Sequence, residues 1–213
     1  MKIKPSLSLT SCILICAALT GGCASNKSAT PILYDLGSLG PTPSLALGAA
    51  MTNNIAPPTP PLTVADVTSA AWLDNQNMHY RLSYGNDQQP RPYATSRWNM
   101  APPQLLGQRL KARLAQSGRV VLSGADGAIN IPMLRVELED FSQRFASQTQ
   151  SSVKVALRAS VFNGRLLLAQ KRFESEQPAP TPDAAGGASG LATATDTLIG
   201  EMTTWLASLP AKR

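Results

Sequence analysis

Residues 151–174 read SSVKVALRASVFNGRLLLAQKRFE. Apolar or small side chains recur at every second position from Val153 to Val161, and this alternation predicts a strand with one buried face. The following pair, Asn163-Gly164, is the preferred dipeptide of a two-residue hairpin turn. The sequence therefore predicts that residues 165–174 return beside the first strand in antiparallel orientation.

The same alternation predicts further strands upstream. Leu134, Val136 and Leu138 alternate with charged residues, and the apolar phase then shifts to Phe141, which predicts a β-bulge near Asp140. The predicted strands are Pro31–Leu36, Leu62–Val67, Met78–Tyr84, Pro92–Trp98, Arg119–Leu122, Met133–Phe145, Ser151–Phe162 and Arg165–Glu174.

Two stretches have helical periodicity. Leu106, Leu110 and Leu114 repeat every four residues behind a proline pair, which predicts a helix over Pro103–Ser117. A longer apolar stripe follows a helix-start signal at residues 181–183; its members are Leu191, Ala194, Leu198, Met202, Trp205 and Leu209. We therefore predict a single α+β domain, in which a mixed or antiparallel sheet carries two amphipathic helices packed on one face.

The first 22 residues have the features of a bacterial lipoprotein signal peptide. Lys2 and Lys4 precede an apolar run that is too short to span a membrane, and small residues then lead to Cys23. We expect Cys23 to carry fatty acyl chains such as palmitate, and an ordinary secretory signal is the alternative. Ala24 follows in place of aspartate, and resemblance to bacterial sorting signals then predicts the periplasmic face of the outer membrane.

Three parts of the chain follow from this signal. Residues 1–22 are the predicted signal peptide, and residues 23–61 a lipidated tether with a short first strand and a proline-rich linker. Residues 62–209 form the predicted domain.

The positive charge of the chain is modest. The formal net charge is +6, and removal of Lys2 and Lys4 with the signal lowers it to +4. The densest basic stretch contains Arg109, Lys111, Arg113 and Arg119. It is interpreted either as a solvated helix face or as a contact for anionic lipid head groups or an acidic partner. Nucleic acid is not an expected partner, because the signal directs the chain to the cell envelope.

The sequence contains few residues that could perform chemistry. Its single histidine, His79, is predicted on the exposed polar face of a strand, and one histidine with one mature cysteine does not make a zinc site. Glu137 and Glu139 are predicted to share a solvated strand face rather than to form an acid–base pair. We therefore predict a protein without catalytic residues, metal or cofactor.

Aromatic residues are concentrated on two strands that we expect to pair. Tyr80, Tyr84, Tyr93 and Trp98 are interpreted either as cross-strand core packing or as a partly exposed surface for a partner or a lipid chain. Arg97, next to Trp98, is the single best candidate for a functional contact, and a structural pair is the alternative.

Several of these stretches carry a family resemblance. They are Tyr34-Asp35-Leu36, Val64–Val67, Met78–Tyr84, Tyr93–Trp98, Pro102-Pro103 and Thr204-Trp205-Leu206. Over roughly Tyr34–Leu209 the chain resembles the ABC-type transport auxiliary lipoprotein family, of the paraquat-inducible lipoprotein type.

The resemblance implies a non-enzymatic accessory of a transport system made of an ATPase, a permease and a periplasmic protein with mammalian-cell-entry (MCE) domains. Such systems are thought to move phospholipids or related molecules between the two membranes. The accessory is expected to dock the MCE protein at the outer membrane through its lipid anchor, and a homo-oligomeric ring is one form that it could take. The second hypothesis is a structural or assembly lipoprotein that binds another outer-membrane protein and moves no lipid.

Overall fold

The computed structural model describes residues 30–40 and 59–210. The predicted signal peptide 1–22, the lipidation site Cys23 and most of the proline-rich linker lie outside these residues. The elements are β1 (Ile32–Tyr34), β2 (Leu62–Val64), β3 (Thr68–Ser69), β4 (Asn77–Leu82), β5 (Asn86–Trp98), α1 (Pro102–Gln116), β6 (Val121–Ser123), β7 (Met133–Phe145), β8 (Ser151–Asn163), β9 (Leu166–Pro178) and α2 (Ala184–Ser208).

An antiparallel meander of β7, β8 and β9 forms the largest part of the sheet. β7 pairs with β8 from Met133 opposite Phe162 to Phe145 opposite Ser151. The hairpin turn between β8 and β9 places Gly164 at a φ of 57°, the left-handed conformation that such a turn requires. The register shifts between Leu138 and Asp140, so the predicted bulge is confirmed. β9 extends beyond the predicted end and runs through Pro178.

The other edge of β7 pairs in parallel with three short strands in succession. β2 pairs near its start, β3 near its middle and β4 near its end. The prediction of one strand over Leu62–Val67 is wrong, because the chain shifts register: the four steps from Val64 to Thr68 advance only three positions along β7. Beyond these strands β6 pairs with β2, β5 pairs antiparallel with β4, and β1 pairs in parallel with β5. The sheet is mixed, as predicted.

Both helices contribute to one hydrophobic core on the sheet. Leu106, Leu110 and Leu114 of α1 are fully buried, as their four-residue spacing predicts. On α2 the first four members of the predicted stripe are buried, and Trp205 is half-buried with its ring 5.6 Å from that of Phe173. The predicted α+β domain with two helices is confirmed.

The first turns of α2 contain Gly186, Gly187 and Gly190, which have low helix propensity. Packing explains two of them. A Cβ atom on Gly187 would overlap Oε1 of the buried Gln143, and one on Gly190 would lie 2.9 Å from Cγ1 of Val153. These glycines let the helix approach the sheet closely, and Asp183 starts it by accepting a hydrogen bond of 2.8 Å from the Gly186 N–H group.

Replacing Gly187 with alanine tests this close approach. Gln143 is held by hydrogen bonds to Tyr93 and Ser151, so we expect G187A to destabilise the fold by about 1–3 kcal/mol in urea denaturation. The matched control is G200A in the same helix, where no atom lies within 4 Å of the added Cβ. This change should stabilise the protein by about 0.5–1 kcal/mol. Equal effects of the two changes would contradict the packing argument.

Candidate functional site

Arg109 and Arg113 of α1 form an ion-pair network with Asp196 of α2. Arg109 donates from Nε and Nη2 at 2.8 and 2.6 Å, and Arg113 from the same two atoms at 3.2 and 2.7 Å. The arginine side chains are only 8% and 10% exposed. The prediction of a solvated helix face is wrong at these two positions, because one turn of α1 places both guanidinium groups against the carboxylate of the neighbouring helix.

The same arginines hold the segment that follows β1. Arg109 Nη1 donates to the carbonyl of Gly37 at 2.8 Å, and Arg113 Nη1 donates to that of Gly40 at 2.9 Å. Burial opposes ionisation of Asp196, but the hydrogen bonds from both arginines outweigh it and hold the pKa of that carboxyl below its usual range. A groove of about 1080 Å³ lies beside this network, between the segment and the two helices. The network therefore connects α1, α2 and the segment that follows β1.

The aromatic residues of β4 and β5 are divided between the core and the surface. Trp98 is 1% exposed and packs against Phe141 with ring centroids 5.4 Å apart, so it belongs to the core. Tyr80 and Tyr93 are half-buried, with centroids 4.8 Å apart. The hydroxyl of Tyr93 donates to Gln143 Oε1 at 2.9 Å, and burial raises its pKa. Three of the predicted contact residues are thus occupied by internal packing.

The other two candidate contact residues of this region are Tyr84 and Arg97. Tyr84 is 52% exposed at the β4–β5 turn. Arg97 is half-buried and donates from Nη1 to the carbonyls of Tyr93 and Ser96 on its own strand. As contacts for a partner or a lipid, both stay predictions, whereas Trp98, Arg109 and Arg113 are buried within the fold.

His79 is buried, contrary to the prediction of an exposed position. The turn before β4 places Trp72 over the polar face of that strand, with the two rings edge to face at 5.3 Å. Burial lowers the pKa of His79, and the positive charges of Arg81 and Arg97 lower it further. The sequence pattern identified the face correctly but held no information on the residue that covers it.

A group of apolar side chains that sequence reasoning missed lies at one end of the sheet. This apolar end consists of Val120, Ile129, Leu166 and Leu167, and Ile129 is 80% exposed. The register places all four at the same end of the sheet, because β2, β6 and β7 begin where the β8–β9 hairpin turns. The available signal was the run of leucines directly after Asn163-Gly164-Arg165, at a turn where polar residues are expected.

Acidic residues of the helix-free face are engaged in cross-strand ion pairs. Glu137 binds Arg158 at 2.5 Å, and Glu139 binds Arg172 at 2.6 Å, so the predicted shared polar face is observed. Within residues 30–40 and 59–210, no three His, Cys, Asp or Glu side chains are grouped so that they could hold a metal ion. In this part of the chain, none of the helices combines the length and the apolar composition needed to cross a membrane.

Comparisons with known proteins agree with this architecture. A family model described as the ABC-type transport auxiliary lipoprotein component matches residues 44–203. A crystal structure of a Xanthomonas campestris protein is similar with a TM-score of 0.62 and 18% identity, over 72% of this chain and 87% of that one. A second, uncharacterised protein has the same TM-score and identity, over 83% of this chain and 99% of its own. At this identity the structural likeness establishes the fold alone, and no curated protein matches the sequence.

The ion-pair network predicts a stability difference between two carboxylate substitutions. Asp196→Asn leaves two buried guanidinium groups without a countercharge, and we expect a loss of about 3 kcal/mol in urea denaturation. The control, Glu137→Gln, removes the partner of the solvent-exposed Arg158, and we expect no measurable change. A stability of D196N equal to that of the parent protein would refute the structural role of the network.

The buried histidine predicts a pH dependence of stability. A lowered pKa means that the unfolded chain binds a proton more readily than the folded one, so stability should be complete above pH 6.5 and fall as the pH drops below it. His79 is the single histidine of the chain, so His79→Phe should remove the fall in thermal midpoint between about pH 6.5 and the range where carboxylates titrate. An unchanged pH profile in H79F would assign the effect to other groups.

Proposed function

Because this chain belongs to the ABC-type transport auxiliary lipoprotein family, we propose that it is a non-enzymatic accessory of an ABC transport system. Cys23 carries the acyl chains, palmitate among them, that anchor it to the periplasmic face of the outer membrane. The domain of residues 62–209 docks the periplasmic MCE-domain protein there and so supports lipid transport between the two membranes.

The observation that carries the proposal is the family match over residues 44–203, because an auxiliary component acts by associating with a transporter. The structure supports an association role in a second way. Glu137, Glu139 and Asp196 are engaged in ion pairs, and His79 is buried under Trp72. These four groups are thus used by the fold itself.

The apolar end is the surface that we assign to the MCE-domain protein. Its four members, Val120, Ile129, Leu166 and Leu167, come from two loops and a hairpin and project where the sheet ends. Burying these exposed apolar side chains against a partner removes them from water, which favours association.

Two further features belong to the same proposal. A homo-oligomeric ring would present several apolar ends to one partner and raise the affinity by multivalency. The alternative is a structural or assembly lipoprotein, in which the apolar end binds another outer-membrane protein and no lipid is moved.

Site-specific photo-crosslinking distinguishes these two functions. A photoreactive residue in place of Ile129 or Leu166 should capture an MCE-domain protein from intact membranes, because the apolar end would lie inside the interface. The matched control is Gln108, an exposed residue of α1 that is not a member of the apolar end. Capture of other outer-membrane proteins alone would favour the assembly function, and equal capture from Gln108 would contradict the assignment of the surface.

Removing the anchor tests the localisation. Cys23→Ser should abolish both outer-membrane fractionation and support of lipid transport, because no acyl chain then holds the domain at the membrane. Membrane fractionation and a transport assay in the same strain measure the two effects. Intact transport with a soluble form of the protein would count against a tethered docking role.

A further inference from the structure

Arg81 of β4 and Arg97 of β5 donate to backbone carbonyls rather than to carboxylates, and Arg91 of β5 binds only the side-chain amide of Gln89. Arg81 donates to the backbone carbonyl of Asp87, and Arg97 donates to carbonyls of its own strand. Neither takes part in an ion pair within the described residues. Ion pairs are formed by Arg109, Arg113, Arg144, Arg158 and Arg172. Within the described residues, no carboxylate is therefore bound directly to the guanidinium group of Arg81 or Arg97.

The strand register places both arginines on one face of the sheet. Arg97 lies opposite Asn77, which is four residues before Arg81 on the same strand, so the two side chains share a face. The guanidinium carbon of Arg81 lies 5.3 Å from the ring centroid of Trp72. His79 lies between the two arginines on the same face; burial is the main cause of its lowered pKa, and the positive charges of Arg81 and Arg97 lower it further.

The edge strand β1 continues this surface with an apolar residue. Leu33 lies directly opposite Arg97 in the parallel β1–β5 pair and is 61% exposed. An exposed leucine, two arginines without carboxylate partners and a tryptophan form a combination typical of protein surfaces that contact a membrane interface. We call the four residues Leu33, Trp72, Arg81 and Arg97 the arginine surface.

The position of the arginine surface in the chain favours a membrane over a protein as its binding partner. Ile32, the first residue of β1, comes nine residues after Cys23, and a fully extended chain of that length spans at most roughly 30 Å. An anchor at Cys23 therefore limits the distance of β1 from the bilayer to about that length. The apolar end lies at the far end of β7, since β4 pairs with β7 from Ser142 onward and the apolar end adjoins Met133.

We infer that the arginine surface rests on the phosphate groups of the membrane that holds Cys23 and thereby orients the domain. Arg81 and Arg97 bind lipid phosphates, which guanidinium groups recognise in a bidentate manner. Leu33 and Trp72 contact the glycerol region between them. The inference rests on the proposed lipid anchor and adds a second contact, which turns the apolar end away from the bilayer.

Depth measurement on the lipidated full-length mature protein tests this orientation. A fluorophore on Thr95→Cys, an exposed position two residues before Arg97, is compared with one on Ala128→Cys beside the apolar end. The protein is reconstituted in vesicles of phosphatidylethanolamine and phosphatidylglycerol that contain a head-group nitroxide lipid. We expect several-fold stronger quenching at position 95 than at position 128.

Charge variants separate phosphate binding from mere proximity. The double change Arg81→Gln and Arg97→Gln should reduce quenching at position 95 to the level at position 128, while Arg81→Lys with Arg97→Lys should retain most of it. The matched control, Arg158→Gln with Arg172→Gln, removes the same charge from the paired arginines of β8 and β9 and should leave quenching unchanged. Thermal midpoints identify any variant that fails to fold. If the glutamine variant does not fold, the retention or loss of quenching in the lysine variant tests the proposal.

Failure of this inference is distinguishable from failure of the proposed anchor. If the protein floats with the vesicles but positions 95 and 128 are quenched equally, the membrane contact is overturned while the anchor stands. If it does not float, Cys23 is not the anchor and the inference falls with it. The label at position 95 is also exposed to a water-soluble quencher. If only an added acidic periplasmic protein shields the label, the arginine surface is assigned to that protein instead.

Discussion

β7 is hydrogen-bonded along both of its edges, and the rest of the domain depends on this pairing. One edge pairs with β8 over its full length, and the other receives β2, β3 and β4 in succession. A strand with no free edge cannot slip by one residue, because a slip would turn its buried side chains Leu134, Val136 and Leu138 toward solvent. The bulge near Asp140 shifts the pairing register between β7 and β8 within the strand. The helices cover the face of the sheet on which these apolar side chains lie.

Arginine has three different roles in the fold. Arg109 and Arg113 are buried with Asp196 and join the two helices to the segment after β1. On the helix-free face, Arg158 and Arg172 bind the glutamates of β7 in a cross-strand ladder, which keeps that face soluble but adds little stability. Arg81 and Arg97 are half-buried on the face that the helices leave uncovered and donate only to backbone carbonyls, and they are the pair that we assign to a ligand outside the chain.

The arrangement separates two surfaces across one rigid sheet. The arginine surface adjoins β1, which follows the proposed anchor in the chain, and the apolar end lies where β2, β6 and β7 begin. The nine positions of β7 between Ser142 and Met133 correspond to about 30 Å at the usual rise of a strand. For a docking protein this separation has a direct use, because a contact on the membrane side fixes the direction in which the partner side points.

The sequence by itself determined the elements whose signal is local: the β7–β8–β9 meander, its bulge, the leucine stripe of α1 and the stripe of α2. Such signals arise because a strand or helix repeats its faces at a fixed period. Only the tertiary structure decided what covers each face. Trp72 buries His79, and Asp196, more than 80 residues along the chain, binds two arginines that local charge counting left in solvent. The apolar end, likewise, comes from three segments that the strand register places at the same end of the sheet, and period-based reasoning holds no information on how distant parts of the chain are arranged.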